Sequence, residues 1–308
     1  MSENNIIVVG IFVVDLAFVA SKLPLPGETI IGDNYIIGPG GKGSNQSVAI
    51  SRSGGKASLI ARIGDDQFGE VGRNLYQKEN VYTEGLIIAK GEKTGSAAIS
   101  IDKNGMNSII VVPGAASGLK KFMIDEKLHL FRKSSIMVTG FEVPLDIALY
   151  CLKKAKSEGL MTILNPAPYF DIDNTNFKLV DYLTPNEHEA SSLTNIEIQN
   201  IDDARVAGRR ICELGVGTSI ITMGEKGVLC TTNSDDHDGL YIPSYKLKEK
   251  VIDTVGAGDA FNGAFATAIS EDMGLEDALN FANKAASLSV RKSGAALSAP
   301  FREEINQV

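Results

Sequence analysis

Asp253, Thr254, Gly256, Ala257, Gly258 and Asp259 stand together just ahead of an apolar run from Ala260 to Ile269. Glycine at 256 and 258 lets a backbone turn sharply and come close to a ligand with no Cβ in the way. A helix opening there aims unpaired backbone N–H groups, and the positive end of its dipole, at whatever lies in front. That is a phosphate cradle. A carboxylate beside an anion site is repelled unless it has work to do. Next to a phosphoryl group in transfer, Asp259 can take the proton of the attacking hydroxyl. An ordinary helix-capping aspartate is the other reading of the same residue.

Further polar clusters fall where short apolar runs end. Asp15, among apolar neighbours, can accept from two adjacent sugar hydroxyls or sit in an edge ion pair. Gly38, Gly40 and Gly43 satisfy G-x-G-x-x-G, with Asp65 and Asp66 about twenty residues further on, as in a dinucleotide fingerprint. The segment before it, Gly32 to Tyr35, is half polar and not a buried strand. Nor is it a P-loop, because Gly43 follows Lys42 where Ser or Thr is required. It reads as a glycine-rich entry to a helix over 44–53, with Lys42 and Asn45 offering donors. Asn186 and Glu189, three apart at a helix start, share a face and suit a hydrated magnesium ion. Asn186 also reads as a plain cap. Thr222 to Gly227 forms a turn whose glycines permit close approach to phosphate oxygens. His129, His188 and His237 share no ligand spacing, and no G-x-S-x-G supports a serine hydrolase.

The elements that must position these residues alternate. Apolar strands are expected over 6–10, 58–63, 135–139, 161–164, 180–183 and 219–223. Helices are expected over 44–53, 69–79, 145–157, 187–193, 203–214, 257–270 and 275–291. Such alternation implies an α/β fold with a mostly parallel sheet and helices on both faces. Ligands then bind at the carboxyl ends of the strands, where Glu142, Asn165 and Thr184 fall. Two pairs of extended segments, 12–21 with 29–37 and 95–101 with 107–112, stand apart from this pattern. Their turns, Pro24 to Gly27 and Asp102 to Gly105, are of hairpin type. They make a small sheet covering one end of the domain.

The 308 residues are 44% hydrophobic, enough for a sizeable core, and show no repeat or dividing linker. One domain over 1–308 is expected. The formal charge of −8 disfavours a nucleic-acid partner, and no apolar run reaches membrane-spanning length. Cys151, Cys212 and Cys230 lack the close spacing of a disulfide framework or zinc knuckle. The first residues, Met1 to Asn5, carry no basic stretch. A cytoplasmic protein is expected.

Taken together, Gly40 to Asn45, Asn165 to Pro168, Thr184 to Glu187 and Asp253 to Asp259 resemble the ribokinase family of carbohydrate kinases, in order, from Gly10 to about Arg302. The resemblance implies a three-layer αβα sandwich with a mostly parallel central sheet and a small β-sheet lid, formed by about 12–38 and 95–112. It makes Asp259 the catalytic base and Gly256, Ala257 and Gly258 the anion hole. Asp15, Gly41, Lys42, Asn45 and Glu142 would hold the sugar. Asn186, Thr222, Gly224, Glu225, Lys226, Gly227 and Asn283 would hold ATP, with Glu189 near hydrated Mg²⁺. A K⁺ site would fall on Asp253, Val255, Ser289, Lys292, Gly294 and Ser298, mostly through carbonyls. The implied reaction is ATP-dependent phosphorylation of a pentose primary hydroxyl, D-ribose to ribose 5-phosphate, in a homodimer paired through the lid. The family carries Asn two residues before the aspartate matching Asp15, and here that residue is Val13. 2-Deoxyribose, another furanose and a nucleoside are therefore the alternative substrates, and a catalytically silent sugar sensor and a nicotinamide dehydrogenase the competing classes.

Overall fold

Ile6, Ile7, Val8 and Val9 are all inaccessible to solvent because β1 (Asn5–Val9) runs through the middle of the main sheet. Ile6 and Val8 face one hydrophobic cluster and Ile7 and Val9 another, as the two-residue period of a strand requires. Each such side chain contributes about 1.5–3 kcal/mol on burial. The computed structural model describes residues 4–233, 239–247 and 249–308; His237 and the first three residues lie outside them.

After β1 come β2 (Val13–Val19), β3 (Asn34–Gly40), α1 (Lys42–Arg52), β4 (Lys56–Gly64) and α2 (Gln67–Lys78). β5 (Leu86–Ala89), β6 (Thr94–Ile101), β7 (Asn107–Gly114), α3 (Lys121–Asp125) and α4 (Leu128–Arg132) follow. Next are β8 (Ser134–Gly140), α5 (Leu145–Ser157), β9 (Met161–Asn165), β10 (Tyr182–Leu183), α6 (Glu187–Thr194) and α7 (Ile201–Glu213). The chain ends with β11 (Thr218–Thr222), β12 (Val228–Thr232), β13 (Leu240–Ile242), α8 (Ala257–Ser270), α9 (Leu275–Ser289) and α10 (Arg302–Asn306).

Nine strands form the main sheet in the order β13-β12-β11-β10-β9-β8-β1-β4-β5. It is parallel from β11 to β5, with β12 and β13 antiparallel at one edge. Side chains of α1, α2, α8 and α9 pack on one face and those of α5 and α7 on the other. The expected α/β sandwich is the fold adopted. Strand order reverses on either side of β1, so the crevice beyond its carboxyl end is a ligand position. There Gly10 and Gly43 touch so closely that a Cβ on Gly10 would lie 2.5 Å from the Gly43 Cα.

A second sheet, β3-β2-β6-β7, is built from the two hairpins, joined by the parallel pair β2 and β6. Several boundaries differ from the sequence expectation. α1 begins at Lys42 and not 44, because Gly41 at φ +89° supplies the break that the following glycine had suggested. The strand expected over 180–183 keeps only two residues. The arm expected from residue 29 becomes a strand only at Asn34. α2 starts early, at Gln67, because the Asp66 side chain accepts from Gly69 N–H and caps it.

Candidate active site

α8 opens at Gly256, whose φ of +82° is left-handed. A Cβ there would sit 2.7 Å from the Ala295 Cα, so glycine is demanded twice over. The helix itself is apolar and buried almost all round, which leaves Asp259 in its first turn as a lone carboxylate, 6% exposed. Two amides hold that carboxylate. Asn45 Nδ2 donates to Oδ2 at 2.9 Å and Gln46 Nε2 donates to Oδ1 at 3.0 Å. Burial pushes the Asp259 pKa up, against the pull of the Lys42 ammonium and of these two donors.

Lys42 joins the two halves of the site. Its backbone N–H donates to Glu142 Oε2 at 2.7 Å. Burial works to lower the pKa of its ammonium, but the carboxylates of Asp259, Glu142 and Glu189 outweigh this and hold it above the ordinary value. Glu142 is pushed up to about 7 by burial, and Asp15 to about 6 for the same reason. On β2, Asp15 presses against Gly40, where a Cβ would collide with its carboxylate. Val13 lies two residues earlier and therefore on the same face. It is buried, and a Cβ on Gly95 would lie 2.9 Å from its Cγ1. Phe12 points the other way, edge-on to Tyr76 in the core. The Asn45 Oδ1 is buried without a hydrogen-bond partner. Such an orphaned acceptor beside Asp259 fits a ligand bearing hydroxyl groups.

A cleft of about 1270 Å³ opens beside Asp259. Lys42, Asn186, Glu189, Thr222, Gly224 to Gly227, Gly256 to Asp259 and Asn283 all line it. Residues 186 and 222 are brought together by a parallel bridge between their strand ends. Gly227, at φ +106°, turns the chain where a Cβ would meet Ser244 N at 2.6 Å. Asn283 Nδ2 donates to the Pro243 carbonyl at 2.6 Å. The Lys226 ammonium is engaged by Glu187 and the Gln199 carbonyl. Asn186 is the cap of α6, in a box whose partner is Glu189; its N–H and Nδ2 both donate to the Glu189 carboxylate. Burial raises the Glu189 pKa. Asp15, Gly41, Asn45 and Glu142 are not part of this wall. Lys42 and Asp259, which line the cleft, are bonded to Glu142 and Asn45, which do not.

Asp253 is not part of the cleft wall. Its carboxylate accepts from Val255 N–H and Gly294 N–H, each at 3.0 Å, and so ties the approach to α8 to the loop after α9. In that loop Lys292 pairs with Glu304, while the Ser298 N–H and hydroxyl go to the Ala295 carbonyl. Among the described residues no group of three His, Cys, Asp or Glu side chains could hold a metal ion.

The chain is similar to known proteins over nearly its whole length. A family model described as pfkB family carbohydrate kinase matches residues 3–302. The chain belongs to this family. A ribokinase of Haemophilus influenzae is 36% identical over 279 residues, 91% of this chain and 90% of the relative. A deoxyribokinase of Salmonella typhi is 31% identical over 98% of each chain. Among solved structures, an Arabidopsis thaliana ribokinase complexed with ribose and ATP superimposes with a TM-score of 0.92, at 30% identity, over 98% of this chain and 97% of that one. This pfkB-family chain is accordingly a carbohydrate kinase.

Sequence reasoning passed over four polar residues of the site: Gln46, Thr184 as a side chain, Asn165 as a side chain, and Asn262. Thr184 Oγ1 donates to Asn262 Oδ1 at 2.7 Å, and Asn262 Nδ2 donates to the Gly258 carbonyl at 2.8 Å. Asn165 and Thr184 lay inside recognised strand-end clusters. Gln46 and Asn262 carried no signal except adjacency to Asn45 and a polar side chain inside an apolar helix.

Proposed function

We propose that this kinase transfers the terminal phosphoryl group of ATP to the primary hydroxyl of a pentose, converting D-ribose to ribose 5-phosphate. The observation that carries the proposal is Asp259: a buried carboxylate at a helix mouth, lining a nucleotide-sized cleft and bonded to Asn45, whose Oδ1 is an orphaned acceptor. The hydroxyl proton passes to an Asp259 oxygen as the sugar oxygen bonds to phosphorus and the bond to ADP breaks. Backbone N–H groups of Gly256, Ala257 and Gly258 take up charge on the transferring group. Asp15, Gly41, Lys42, Asn45 and Glu142 hold the sugar. Asn186, the turn from Thr222 to Gly227 and Asn283 hold the nucleotide. The small sheet acts as the lid and excludes water.

Mg²⁺, when bound, offsets phosphate charge, and Glu189 with its raised pKa stands at the cleft wall to orient its hydration shell. We place K⁺ beside Asp253, with carbonyls of Val255, Ser289, Lys292 and Gly294 and with Ser298 around it. The carboxylate already joins the two segments concerned. The lid strands expose Phe18, Tyr35, Ile36, Ile109 and Ile110, a patch suited to pairing two copies. Cys151, Cys212 and Cys230 are buried and form no disulfide with one another, in keeping with a reducing cytoplasm. No helix among the described residues is long and apolar enough to cross a membrane.

Val13 favours a second reading, 2-deoxyribose, because its methyl groups stand on the sugar-facing side of β2 where a hydroxyl would go unpaired. ADP release measured with ribose, 2-deoxyribose, hexoses and nucleosides tests both. Turnover highest on a pentose supports the proposal; turnover highest on a hexose or nucleoside refutes it.

A further inference from the structure

We propose that Gln46 is a positioning residue which keeps Asp259 ionised and aimed, and that its amide is itself oriented by a relay ending in a backbone carbonyl. The proposal rests on the reading of Asp259 as the general base. Gln46 is 2% exposed, one position along α1 from Asn45, and takes no part in the wall of the nucleotide cleft. Its Nε2 faces two acceptors, Asp259 Oδ1 at 3.0 Å and Asn165 Oδ1 at 3.5 Å. Asn165 Nδ2 in turn donates to the Thr184 carbonyl at 3.0 Å.

A carbonyl can only accept, so it fixes which end of the Asn165 amide faces it. The Asn165 oxygen is thereby turned toward Gln46, and accepts only if the Gln46 nitrogen comes forward. The nitrogen's other hydrogen is left for the carboxylate. Reversing Gln46 would set its oxygen against two other oxygens. The relay thus delivers a donor, and not an acceptor, to the base, as a carboxylate fixes a histidine tautomer in a catalytic triad.

The consequence is electrostatic. Asp259 must be charged to accept a proton, and burial disfavours that form. The charged groups facing it are Lys42 on α1, which favours ionisation, and Glu142 after β8 and Glu189 on α6, which share the attraction of that same ammonium. Donors aimed at the carboxylate are what remains to favour its charged form. Asn45 gives one, but its own oxygen is free for the sugar, so its loss would disturb binding as well. The Gln46 amide nitrogen donates to the base and to the relay. Removing its donor should therefore change ionisation without changing substrate contact.

Gln46→Met keeps the length and removes the donor. The expected result is a 10- to 100-fold lower kcat, with the KM of sugar and ATP within about three-fold of native. The acid limb of the kcat/KM profile should move up by about one pH unit, the worth of one charge-assisted hydrogen bond. Asn165→Ala leaves Gln46 in place and removes its orienting acceptor, so a smaller shift of the same sign is expected. It carries the test if Gln46→Met does not fold, as judged by thermal melting. A lower kcat with the acid limb unmoved in both variants, or an effect confined to KM, overturns the proposal. If Asp259→Asn turns over normally, the reading of the base has failed instead.

Discussion

Glu142→Gln should stabilise the protein at high pH while weakening sugar binding. Burial raises the Glu142 pKa from the ordinary 4.5 to about 7; the Lys42 ammonium and N–H oppose this, and the nearby Asp259 and Asp15 carboxylates add to it. Between those values the folded chain keeps a proton that the unfolded chain has released. Stability therefore falls as pH rises through this window and levels off above 7. The move corresponds to about 3.5 kcal/mol at roughly 1.4 kcal/mol per pH unit, as an upper limit. Glutamine is neutral throughout and its carbonyl still accepts from Lys42 N–H, but the attraction between Glu142 and the Lys42 ammonium is lost. A net gain of about 1–2 kcal/mol at pH 8, and none near pH 5, is the expected balance. Thermal unfolding of both proteins from pH 5 to 8 reads this directly: the variant should melt a few degrees higher at pH 8. A variant that melts lower at pH 8 than native, by as much as at pH 5, would show that the buried carboxylate is not strained and refute the reasoning.

Val13→Asn should shift kcat/KM toward ribose and away from 2-deoxyribose, because an unpaired buried hydroxyl costs about 1–3 kcal/mol; an unchanged ratio would remove Val13 from sugar discrimination. K⁺ should activate more than Na⁺ by fixing the N–H directions of the Gly256 turn, and equal rates in K⁺, Na⁺ and a bulky organic cation would count against that site. Gly256→Ala should lower kcat by about 100-fold, since its Cβ would meet the Ala295 Cα at 2.7 Å and move the anion hole; nucleotide cleft residues elsewhere are untouched, so ATP affinity should change little.

The sequence made the alternating architecture plain because runs such as Ile6 to Val9 are short and apolar on both sides, as a strand buried on both faces needs. The mouth of α8 was equally legible, since Gly256, Gly258 and Asp259 have conformational and chemical reasons to be adjacent. Edge strands β12 and β13 were not foreseen. They are short and antiparallel, and their burial comes from packing on α7 and α9 more than from any pattern of their own. Both sequence readings of Asn186 are compatible, since it caps α6 and also lines the large cleft. Gln46 was invisible because its partners, Asp259 and Asn165, lie 213 and 119 residues away, and only the folded sheet brings three strand ends and two helix starts together.

Turnover of Asp259→Asn, with ATP affinity and melting measured on the same preparation, tests the central claim most directly. Asparagine keeps the shape of the side chain and cannot take the hydroxyl proton. The expected result is a loss of roughly 10²–10⁴-fold in kcat with ATP binding and folding preserved. A folded variant that binds ATP and phosphorylates sugar at near the native rate would contradict it.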